Sequence, residues 1–571
     1  MTVLRFDQPY DQHYGLLRGQ GLEPGRYTNA YPPEERTMLR VLADRAADRP
    51  GKDWLVFDGS ERLTFGHAWS EVCRIGHACD RDLDPGAHVG LLLRNQLEFM
   101  PAFYGAQVRG GLTVPFNADA RGPLLHAVIE HSDVQALVVR ADLVERLTAL
   151  PDLGAVRLVV VVGDEAAPSE VCGVPVVRFA AWLEGMPTHH AWPFPSHDAH
   201  CVIQYTSGTT SRPKGAVYTH HFLYLYASLC SDSQEREEDD VLTAPLPLFH
   251  VAALHIIANS SLHAGCTGHL KSKFSASRYW QQCADDGATW AILLGPMATM
   301  VAKMTPEPPP AHRVTRMFCP PPPPEIDEFE RRFAPVKLIW WGYGMTEIYP
   351  LPMIFPEQQD RTLPADTIGM PARFMDYGVV DEHDMLLPPG HIGEIVFRPC
   401  MPHAMVSEYY HDPDKTVEAF RNLLYHTGDL GLYDEQGLLH YRSRKQERIR
   451  RRGENISAPE LEWVALTHEL VVEAAAYGVP SDLGEEEVKL DVVLREPLAL
   501  EELHGWLTEN VPRFMVPRYL EIRSSFPKTP SERIEKYKLT ADPLDRPDVF
   551  DAALLTREPT VPEPVPDQTV D

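Results

Sequence analysis

The segment Tyr205–Gly215 reads YTSGTTSRPKG and follows an apolar run, Cys201–Gln204. Its two glycines let the backbone bend so that N–H groups point toward an anion, and its Ser and Thr hydroxyls add further donors. Lys214 adds a positive charge. We therefore interpret the segment as a polyphosphate-binding loop; the alternative interpretation is a polar hairpin loop without a ligand.

The composition predicts a cytoplasmic, globular protein of two or more domains. The chain has 571 residues, which is too long for one ordinary core, and 44% of them are hydrophobic. The net charge of −28 argues against nucleic acid or an anionic membrane as the main partner. The nine scattered cysteines form no Cys-x-x-Cys pair, which is typical of reduced thiols. We expect no signal peptide and no membrane span.

Helix and strand patterns alternate through the first half of the chain. Thr37–Ala47 has the apolar spacing of an amphipathic helix, and His88–Leu93 and Leu158–Val162 are apolar enough for strands. This alternation predicts parallel strands with crossover helices. After the phosphate loop we expect a helix over Val217–Leu229, followed by a solvated loop at the charge-rich segment Ser231–Asp240.

A second motif, WGYGMTE, covers residues 341–347 after an apolar strand. Its aromatic residue Tyr343 can stack on a flat base, and the neighbouring glycines allow the backbone to approach closely. Thr346 can hydrogen-bond a phosphate oxygen. Glu347 offers a hard carboxylate oxygen, the ligand that Mg²⁺ prefers when it is shared with phosphates. The motif therefore predicts a nucleotide and metal site.

A third motif, YHTGDL, covers residues 425–430. Its carboxylate, Asp429, follows a glycine and can bind the two hydroxyls of a diol, as acidic residues do for a ribose. Tyr441–Arg444 then leads into a basic run, Lys445–Arg452. We place a domain boundary directly after Arg444.

These motifs, in this order, resemble those of the adenylate-forming superfamily, which includes acyl-CoA synthetases, nonribosomal adenylation domains and luciferases. The resemblance covers Thr37–Leu539, and within the superfamily the chain is most similar to the carnitine/crotonobetaine-CoA ligase type. It implies an ATP-dependent, AMP-forming acid–thiol ligase that uses ATP, Mg²⁺ and coenzyme A. The expected substrate is a small carboxylic acid or an oxyanion.

The resemblance also implies an α/β fold in two parts. A large adenylation domain over residues 37–444 is expected to combine parallel-type αβ subdomains with a β-rich subdomain. A small mobile α+β domain is expected over residues 445–540. Residues 1–36 form an N-terminal extension, and residues 541–571 are predicted to be disordered because they are rich in Pro and Asp.

Each motif residue acquires a role from the resemblance. The residues expected to act in catalysis are Thr206, Lys214, His250, Thr346, Glu347 and Arg533. Those expected to bind the nucleotide or coenzyme A are Thr206, Ser207, Gly208, Thr209, Thr210, Lys214, Tyr343, Gly344, Met345, Thr346, Asp429, Arg444, Arg451, Gly453 and Glu454. The expected acid pocket consists of His250, Cys319, Pro320, Trp340 and Trp341, and the expected metal ligand is Glu347.

The chain departs from the superfamily pattern in three places. Five prolines, Pro320–Pro324, stand where relatives carry a glycine-rich turn. Their fixed φ predicts a rigid wall beside the substrate, or a proline-capped start of a helix over Glu325–Phe333. Gln446 stands at the hinge, where relatives use lysine or aspartate. Arg533 stands where relatives use a lysine that binds the acyl carboxylate and the α-phosphate. Arginine keeps the charge but differs in shape.

These departures leave other functions open. One alternative is adenylation with a different substrate or acceptor: an aryl acid handed to a carrier protein, or nitrite activated to diazotise an aryl amine. Another is a non-catalytic nucleotide-binding homologue. For the oligomeric state, a homodimer is the expectation from base rates.

Overall fold

The structure is a computed structural model. It describes residues 16–18, 25–206, 214–323, 325–340, 342–348, 364, 366–445, 448–451, 454–480, 486–511, 515–528 and 534–552. The chain divides into two compact units, of which the first reaches Tyr441 and the second begins at Arg442. The boundary predicted from the sequence lies nearby, after Arg444.

The strands of the first unit in chain order are β1 (Leu17–Arg18), β2 (Asp53–Phe57), β3 (Glu61–Thr64), β4 (His88–Leu92), β5 (Leu112–Pro115), β6 (Val134–Arg140), β7 (Leu158–Val162), β8 (Glu170–Val171), β9 (Val174–Arg178), β10 (His200–Thr206), β11 (Lys214–Thr219), β12 (Val241–Ala244), β13 (Thr267–Leu270), β14 (Trp290–Ile292), β15 (Arg316–Phe318), β16 (Lys337–Ile339), β17 (Thr367–Gly369), β18 (Met375–Val380), β19 (Gly393–Pro399) and β20 (Tyr425–Tyr433). A further strand, β21 (Leu439–Arg444), leads into the second unit.

The α-helices of the first unit are α1 (Met38–Asp48), α2 (Phe65–Asp82), α3 (Phe99–Gly105), α4 (Gly122–His131), α5 (Val144–Thr148), α6 (Phe179–Trp182), α7 (His220–Ser233), α8 (Ser260–Ala264), α9 (Tyr279–Asp286), α10 (Gly295–Met304), α11 (Ile326–Arg332) and α12 (Pro413–Ala419). A π-helix, Ala252–Asn259, runs directly into α8. Short 3₁₀ turns occupy Pro33–Glu35, Gln107–Arg109, Ala141–Leu143, Ala276–Arg278 and Arg421–Leu423.

Three sheets organise the described part of the first unit. One is eight-stranded, in the order β11-β10-β5-β4-β6-β7-β9-β8, and one is seven-stranded, in the order β16-β15-β14-β12-β13-β2-β3. Their inner strands pair in parallel, whereas the edge pairs β10–β11, β8–β9 and β2–β3 are antiparallel. The third sheet, β1-β18-β19-β20-β21-β17, shows antiparallel pairings. The predicted α/β architecture with a β-rich subdomain is confirmed.

The helix after the phosphate loop begins later than predicted. A helix from Val217 is wrong, because Val217 and Tyr218 belong to β11, which pairs antiparallel with β10. The helix starts at His220, where the Thr219 hydroxyl caps it by accepting a hydrogen bond from the backbone N–H of Phe222 at 3.1 Å. The resulting helix α7 is buried along its whole length. It is therefore a core helix, buried on every face.

The charge-rich segment Ser231–Asp240 is not the solvated loop that we predicted. Its first residues complete α7, and the side chains of Asp232 and Arg236 are buried. The carboxylate of Asp232 accepts hydrogen bonds from the backbone N–H groups of Tyr27 and Thr28, both at 2.9 Å, and from the Thr28 hydroxyl at 2.7 Å. These donors satisfy the buried charge, which is why it can leave water.

The second unit is a small α+β domain. Its elements are β22 (Arg448–Arg451), β23 (Glu454–Ser457), α13 (Ala458–Thr467), β24 (Val471–Pro480), β25 (Glu486–Leu494), α14 (Leu500–Asn510), β26 (Tyr519–Ile522), α15 (Lys536–Leu539) and β27 (Val549–Asp551). β22 and β23 form a hairpin, and β24-β25-β26-β27 form a sheet. Disorder from residue 541 onward is wrong for the first part of the tail, because β27 pairs antiparallel with β26. Residues 553–571 lie outside the described residues.

Two expectations about the whole chain can be checked on the described residues. All nine cysteines are free. Within the described ranges, no helix has both the length and the apolar character needed to cross a membrane.

Buried neutral histidines predict acid-sensitive stability. Burial lowers the pKa of His220, His255 and His263 to about 3, and that of His221 and His250 to about 4. In the unfolded chain these side chains take up protons near pH 6.5. The unfolded state therefore binds more protons between about pH 6.5 and pH 4, and stability is lost as pH falls through this window.

We expect the urea midpoint of the first unit to fall steeply between pH 7.5 and pH 5.5. His220→Gln should reduce the loss of unfolding free energy between pH 7.5 and pH 5.5 by about 1.4 kcal/mol in total, because the unfolded variant no longer takes up a proton at this position. His383→Gln is the control, since its side chain is 79% exposed. A midpoint that is the same at both pH values would contradict the prediction.

Candidate functional site

The phosphate-loop segment joins two paired strands. In the β10–β11 hairpin, Thr206 lies opposite Lys214, and Tyr205 lies opposite Gly215. The two predicted residues Thr206 and Lys214 therefore stand side by side where the loop leaves the sheet. Ser207, Gly208, Thr209 and Thr210 lie outside the described residues.

A second backbone segment runs along β11 and brings Tyr409 to Lys214. The backbone N–H of Val217 donates to the carbonyl of Glu408 at 3.0 Å, and the N–H of Tyr410 donates to the carbonyl of Gly215 at 2.7 Å. This pairing places the Lys214 ammonium 5.0 Å from the centre of the Tyr409 ring. At this distance a cation and an aromatic ring attract each other.

The hydroxyl of the same tyrosine contacts the predicted metal ligand. Tyr409 Oη donates to Glu347 Oε1 at 2.7 Å, and the N–H of Val406 donates to the Glu347 carbonyl at 3.2 Å. Glu347 is buried, and burial together with its carboxylate raises the pKa of Tyr409. Tyr409 therefore stays protonated and acts as a donor. Its ring contacts Lys214 and its hydroxyl contacts Glu347, so one side chain connects the two charged groups.

The loop of residues 342–348 is held by contacts on both sides. Met345 and Ile348 exchange backbone hydrogen bonds at 3.1 and 3.3 Å, which closes a tight turn around Thr346 and Glu347. Tyr218 Oη on β11 donates to the Thr346 carbonyl at 2.5 Å. A Cβ added to Gly342 would lie 2.8 Å from the Phe318 ring, so that position requires glycine. The side chain of Thr346 is partly exposed, and Gly344 is exposed.

Tyr343 and Asp429 are in direct contact. Tyr343 Oη donates to Asp429 Oδ2 at 2.5 Å, and its ring stacks on Phe397 with centroids 6.0 Å apart. The Asp429 N–H donates to Thr427 Oγ1 at 3.0 Å, and that hydroxyl donates to the Ile395 carbonyl at 2.7 Å. The structure thus brings together the aromatic side chain predicted to bind a base and the carboxylate predicted to bind a ribose.

His250 is neutral and has a defined tautomer. Its Nδ1 accepts a hydrogen bond from the N–H of Ala252 at 3.2 Å, which leaves the ring proton on Nε2. Burial lowers its pKa to about 4. Gln204 Nε2 on β10 donates to the Phe249 carbonyl at 2.8 Å and so ties this segment to the strand that carries Thr206.

The predicted acid-pocket residues differ in exposure. Cys319 and Trp340 are buried, and burial raises the pKa of the Cys319 thiol. The Cys319 N–H donates to the Ile339 carbonyl at 2.8 Å. Pro320 is partly exposed, and Trp341 lies outside the described residues.

The predicted residues of the second unit are only partly described. Arg451 forms an ion pair with Glu487 at 2.6 Å and donates to the Val516 carbonyl at 2.8 Å. Gly453 and Arg533 lie outside the described residues, as does the hinge candidate Gln446. Arg444 ends β21 and Glu454 begins β23. Their predicted roles stay predictions.

Sequence reasoning missed Tyr409, Tyr218 and Gln204. No local pattern identifies Tyr409, because its position depends on the pairing of residues 407–410 with β11. The sequence predicts a helix at Tyr218, whereas the residue lies on β11 and its hydroxyl contacts the Thr346 carbonyl. Gln204 is a polar residue inside an otherwise apolar strand. This break in the pattern is a sequence feature that points to a polar contact at Gln204.

A separate cavity of about 820 Å³ opens elsewhere on the first unit, and none of the predicted site residues lines it. Its lining includes Tyr27 and Tyr31, residues of α1, the acidic segment Glu237–Asp239 and His263.

Comparisons with known proteins show the family of this chain. Residues 42–410 match the family described as AMP-binding enzyme, and residues 460–533 match the AMP-binding enzyme C-terminal domain. The crotonobetaine/carnitine–CoA ligase of Citrobacter koseri is 30% identical over 517 residues, which cover 88% of this chain and 98% of the relative. The corresponding ligase of Salmonella arizonae is 30% identical over 463 residues, or 80% of this chain and 88% of the relative.

Solved structures share the fold. The anthranilate CoA ligase AuaEII in complex with anthranoyl-AMP has a TM-score of 0.81 at 20% identity and covers 90% of this chain and 98% of its own. ATP-bound MatB from Rhodopseudomonas palustris has a TM-score of 0.75 at 22% identity and covers 89% of this chain and 98% of its own. At these identities the likeness shows the fold, and it confirms the predicted fold class.

Tyr409→Phe tests the contact between Tyr409 and Glu347. The substitution removes the hydroxyl and keeps the ring beside Lys214, so a buried carboxylate loses a donor. We expect the free energy of unfolding of the first unit to fall by about 2 kcal/mol, measured by urea denaturation. Tyr410→Phe is the matched control, because the Tyr410 hydroxyl donates to Asp133 at an exposed position. Equal losses in the two variants would refute the assignment.

Proposed function

Because this chain belongs to the family of AMP-binding enzymes, we propose that it is an ATP-dependent ligase that adenylates a carboxylic acid and transfers the acyl group to coenzyme A. The observation that carries the proposal is the contact of Tyr409 with both Lys214 and Glu347. Through Tyr409, a cation suited to phosphate oxygens and a carboxylate suited to a metal ion lie close together. All three residues belong to the segment that matches the AMP-binding family, residues 42–410.

The proposed reaction has two steps. A carboxylate oxygen of the acid attacks the α-phosphorus of ATP, and the bond from that phosphorus to pyrophosphate breaks. A coenzyme A thiolate then attacks the acyl carbonyl, and AMP leaves. The acid and the triphosphate repel each other, so the site must neutralise charge and align the attack. We assign this task to Lys214, to the loop residues Thr206–Thr210, and to Arg533.

Glu347 is suited to bind Mg²⁺. Its buried carboxylate supplies the hard oxygen that this ion prefers, and Tyr409 fixes its orientation. When bound there, Mg²⁺ would offset the negative charge of the phosphates. We assign to Thr346, on the adjacent turn, a hydrogen bond to a phosphate oxygen.

The nucleoside half of ATP is assigned to the third sheet and the loop before it. We propose that the adenine stacks on Tyr343 beside Gly344 and Met345, and that Asp429 accepts hydrogen bonds from the ribose hydroxyls with support from Arg444. The support for this assignment is the 2.5 Å contact between Tyr343 and Asp429.

We assign to His250 a hydrogen bond to the carboxylate of the acid substrate. At neutral pH its pKa of about 4 keeps it uncharged, and its Nε2–H is a donor. A neutral donor can orient the attacking carboxylate without changing the charge of the site. We propose that the acid lies beside His250, Cys319, Pro320, Trp340 and Trp341, and that Arg451, Gly453 and Glu454 serve coenzyme A.

The substrate class is a small carboxylic acid, in line with the names of the relatives. The proline run and Trp340 also favour a second candidate, in which an aryl acid goes to a carrier protein or nitrite is activated for diazotisation. A cytoplasmic location and a homodimer stay predictions.

Pyrophosphate release on a panel of acids and oxyanions, with and without coenzyme A, tests the proposal. We expect coenzyme A-dependent turnover of a carboxylic acid. Lys214→Ala should lower kcat/KM about 100-fold or more, because it removes the charge that faces the phosphates. Lys273→Ala is the control, because Lys273 is exposed. ATP binding without pyrophosphate release under any condition would indicate a non-catalytic homologue.

Arg533→Ala separates the two steps. We expect it to slow adenylation about 100-fold while thioester formation from supplied acyl-adenylate changes much less, because the guanidinium offsets charge only in the first step. Arg533→Lys should restore part of the adenylation rate, since it restores the charge. Equal loss in both steps would rule out the assigned role.

A further inference from the structure

Four side chains form a charge cluster on the third sheet: Asp384, Glu394, Arg421 and His426. Arg421 binds both oxygens of Asp384, at 2.9 and 3.0 Å, and its Nη2 also lies 3.1 Å from Glu394 Oε2. His426 Nδ1 lies 3.2 Å from the same Glu394 oxygen. The side chains of Glu394 and His426 are 6% and 2% exposed and are shielded from water, whereas those of Arg421 and Asp384 are partly exposed.

The other oxygen of Glu394 reaches the residue directly before Asp429. Glu394 Oε1 accepts a hydrogen bond from the N–H of Gly428 at 2.9 Å. Gly428 has a φ of +71°, a left-handed conformation in which glycine is favoured. The carboxylate of Glu394 thus uses one oxygen for the cluster and the other for this turn.

The turn is a bulge in the ladder between β19 and β20. Glu394 pairs with Leu430 and Val396 pairs with His426, so the residues Thr427–Asp429 lie opposite Ile395 alone. Bulges of this kind re-aim side chains and leave backbone groups without a ladder partner. Here the Gly428 N–H donates to the Glu394 carboxylate, and the Asp429 N–H donates to the Thr427 hydroxyl. That hydroxyl in turn donates to the Ile395 carbonyl.

The cluster has the spacing of a metal site, but its positive charge comes from the protein. Ligand atoms of Asp384, Glu394 and His426 all lie within 4.8 Å of one another. The Arg421 guanidinium already binds both carboxylates and holds the pKa of Asp384 below its usual value. A cation at this place would compete with Arg421 for the same oxygens.

We propose that Glu394 is a positioning residue for the nucleotide site: it holds Gly428, and thereby sets the bulge that presents Asp429 to the ribose. Arg421 and His426 fix the second oxygen of Glu394, so that the first stays aimed at the Gly428 N–H. This inference rests on the proposed role of Asp429. In this proposal Glu394 does not touch the ribose. It acts indirectly, because its hydrogen bond to the Gly428 N–H fixes the backbone that carries Asp429.

The test compares ATP with 2′-deoxy-ATP in pyrophosphate release, using an acid found in the panel. The ratio of the two kcat/KM values measures the contribution of the contact between the protein and the ribose 2′-hydroxyl. A substitution that only reduces the folded fraction lowers both values equally and leaves the ratio unchanged. Glu394→Gln leaves one acceptor oxygen where the carboxylate uses two, so one contact must be lost. We expect the preference for ATP to fall by about threefold or more, toward that of Asp429→Asn.

Two further variants keep the test decisive. Glu382→Gln is the matched control, because the Glu382 side chain is 87% exposed, and it should keep the preference of the unmodified enzyme. Arg421→Lys keeps a charge but cannot bridge two carboxylates, and it should give an intermediate preference. It replaces Glu394→Gln as the deciding variant if that protein does not fold.

The outcomes separate this inference from the proposed function. If Asp429→Asn loses the preference for ATP while Glu394→Gln or its replacement keeps it, the positioning role is refuted and the role of Asp429 stands. If Asp429→Asn leaves the preference unchanged, both fail. Elemental analysis of the purified enzyme adds a check: a stoichiometric metal that disappears in His426→Ala would overturn the assignment of the cation role to Arg421.

Discussion

The pairing of β11 with its two neighbours is the constraint on which the candidate site depends. On one side, β10 places Thr206 opposite Lys214. On the other side, the segment around Tyr409 is bound to β11 by backbone hydrogen bonds. A shift of this pairing by one residue would turn the side chains to the opposite face. Lys214, Tyr409 and Glu347 would then no longer meet, so backbone register, more than any single side-chain contact, determines the electrostatics of the site.

The site concentrates charge in a protein that is strongly acidic overall. The net charge of −28 is distributed over the whole chain, whereas the loop that follows β10 carries hydroxyls and basic residues. Burial holds several core histidines neutral, and it also lowers the pKa of the partly exposed His250. The protein thus treats two kinds of buried polar group differently: the carboxylates of Asp232 and Glu394 accept hydrogen bonds from several donors, whereas His220, His255 and His263 are kept neutral by burial.

The sequence predicted the motifs of the site better than the connections between them. Glycines and charged residues in short motifs predicted Lys214, Tyr343, Glu347 and Asp429 as candidate site residues, because the chemistry of an anion, a base and a diol restricts residue types locally. The predicted start of the helix at Val217 was wrong, since apolar β-branched and aromatic residues fit a buried strand as well as a buried helix. Tyr409 and Glu394 were missed because their partners are distant in the chain, and only tertiary pairing brings them together.

The tail strand β27 has a consequence for the second unit. β26 pairs with β25 on one side and with β27 on the other, so its backbone groups are satisfied in both directions. A protein ending before Val549 would expose that second row of N–H and C=O groups. Unpaired N–H and C=O groups on an edge strand can form hydrogen bonds with a strand of another molecule. With β27 in place, the edge of the sheet is a strand of only three residues, and a short edge strand is a poor template for pairing with another molecule.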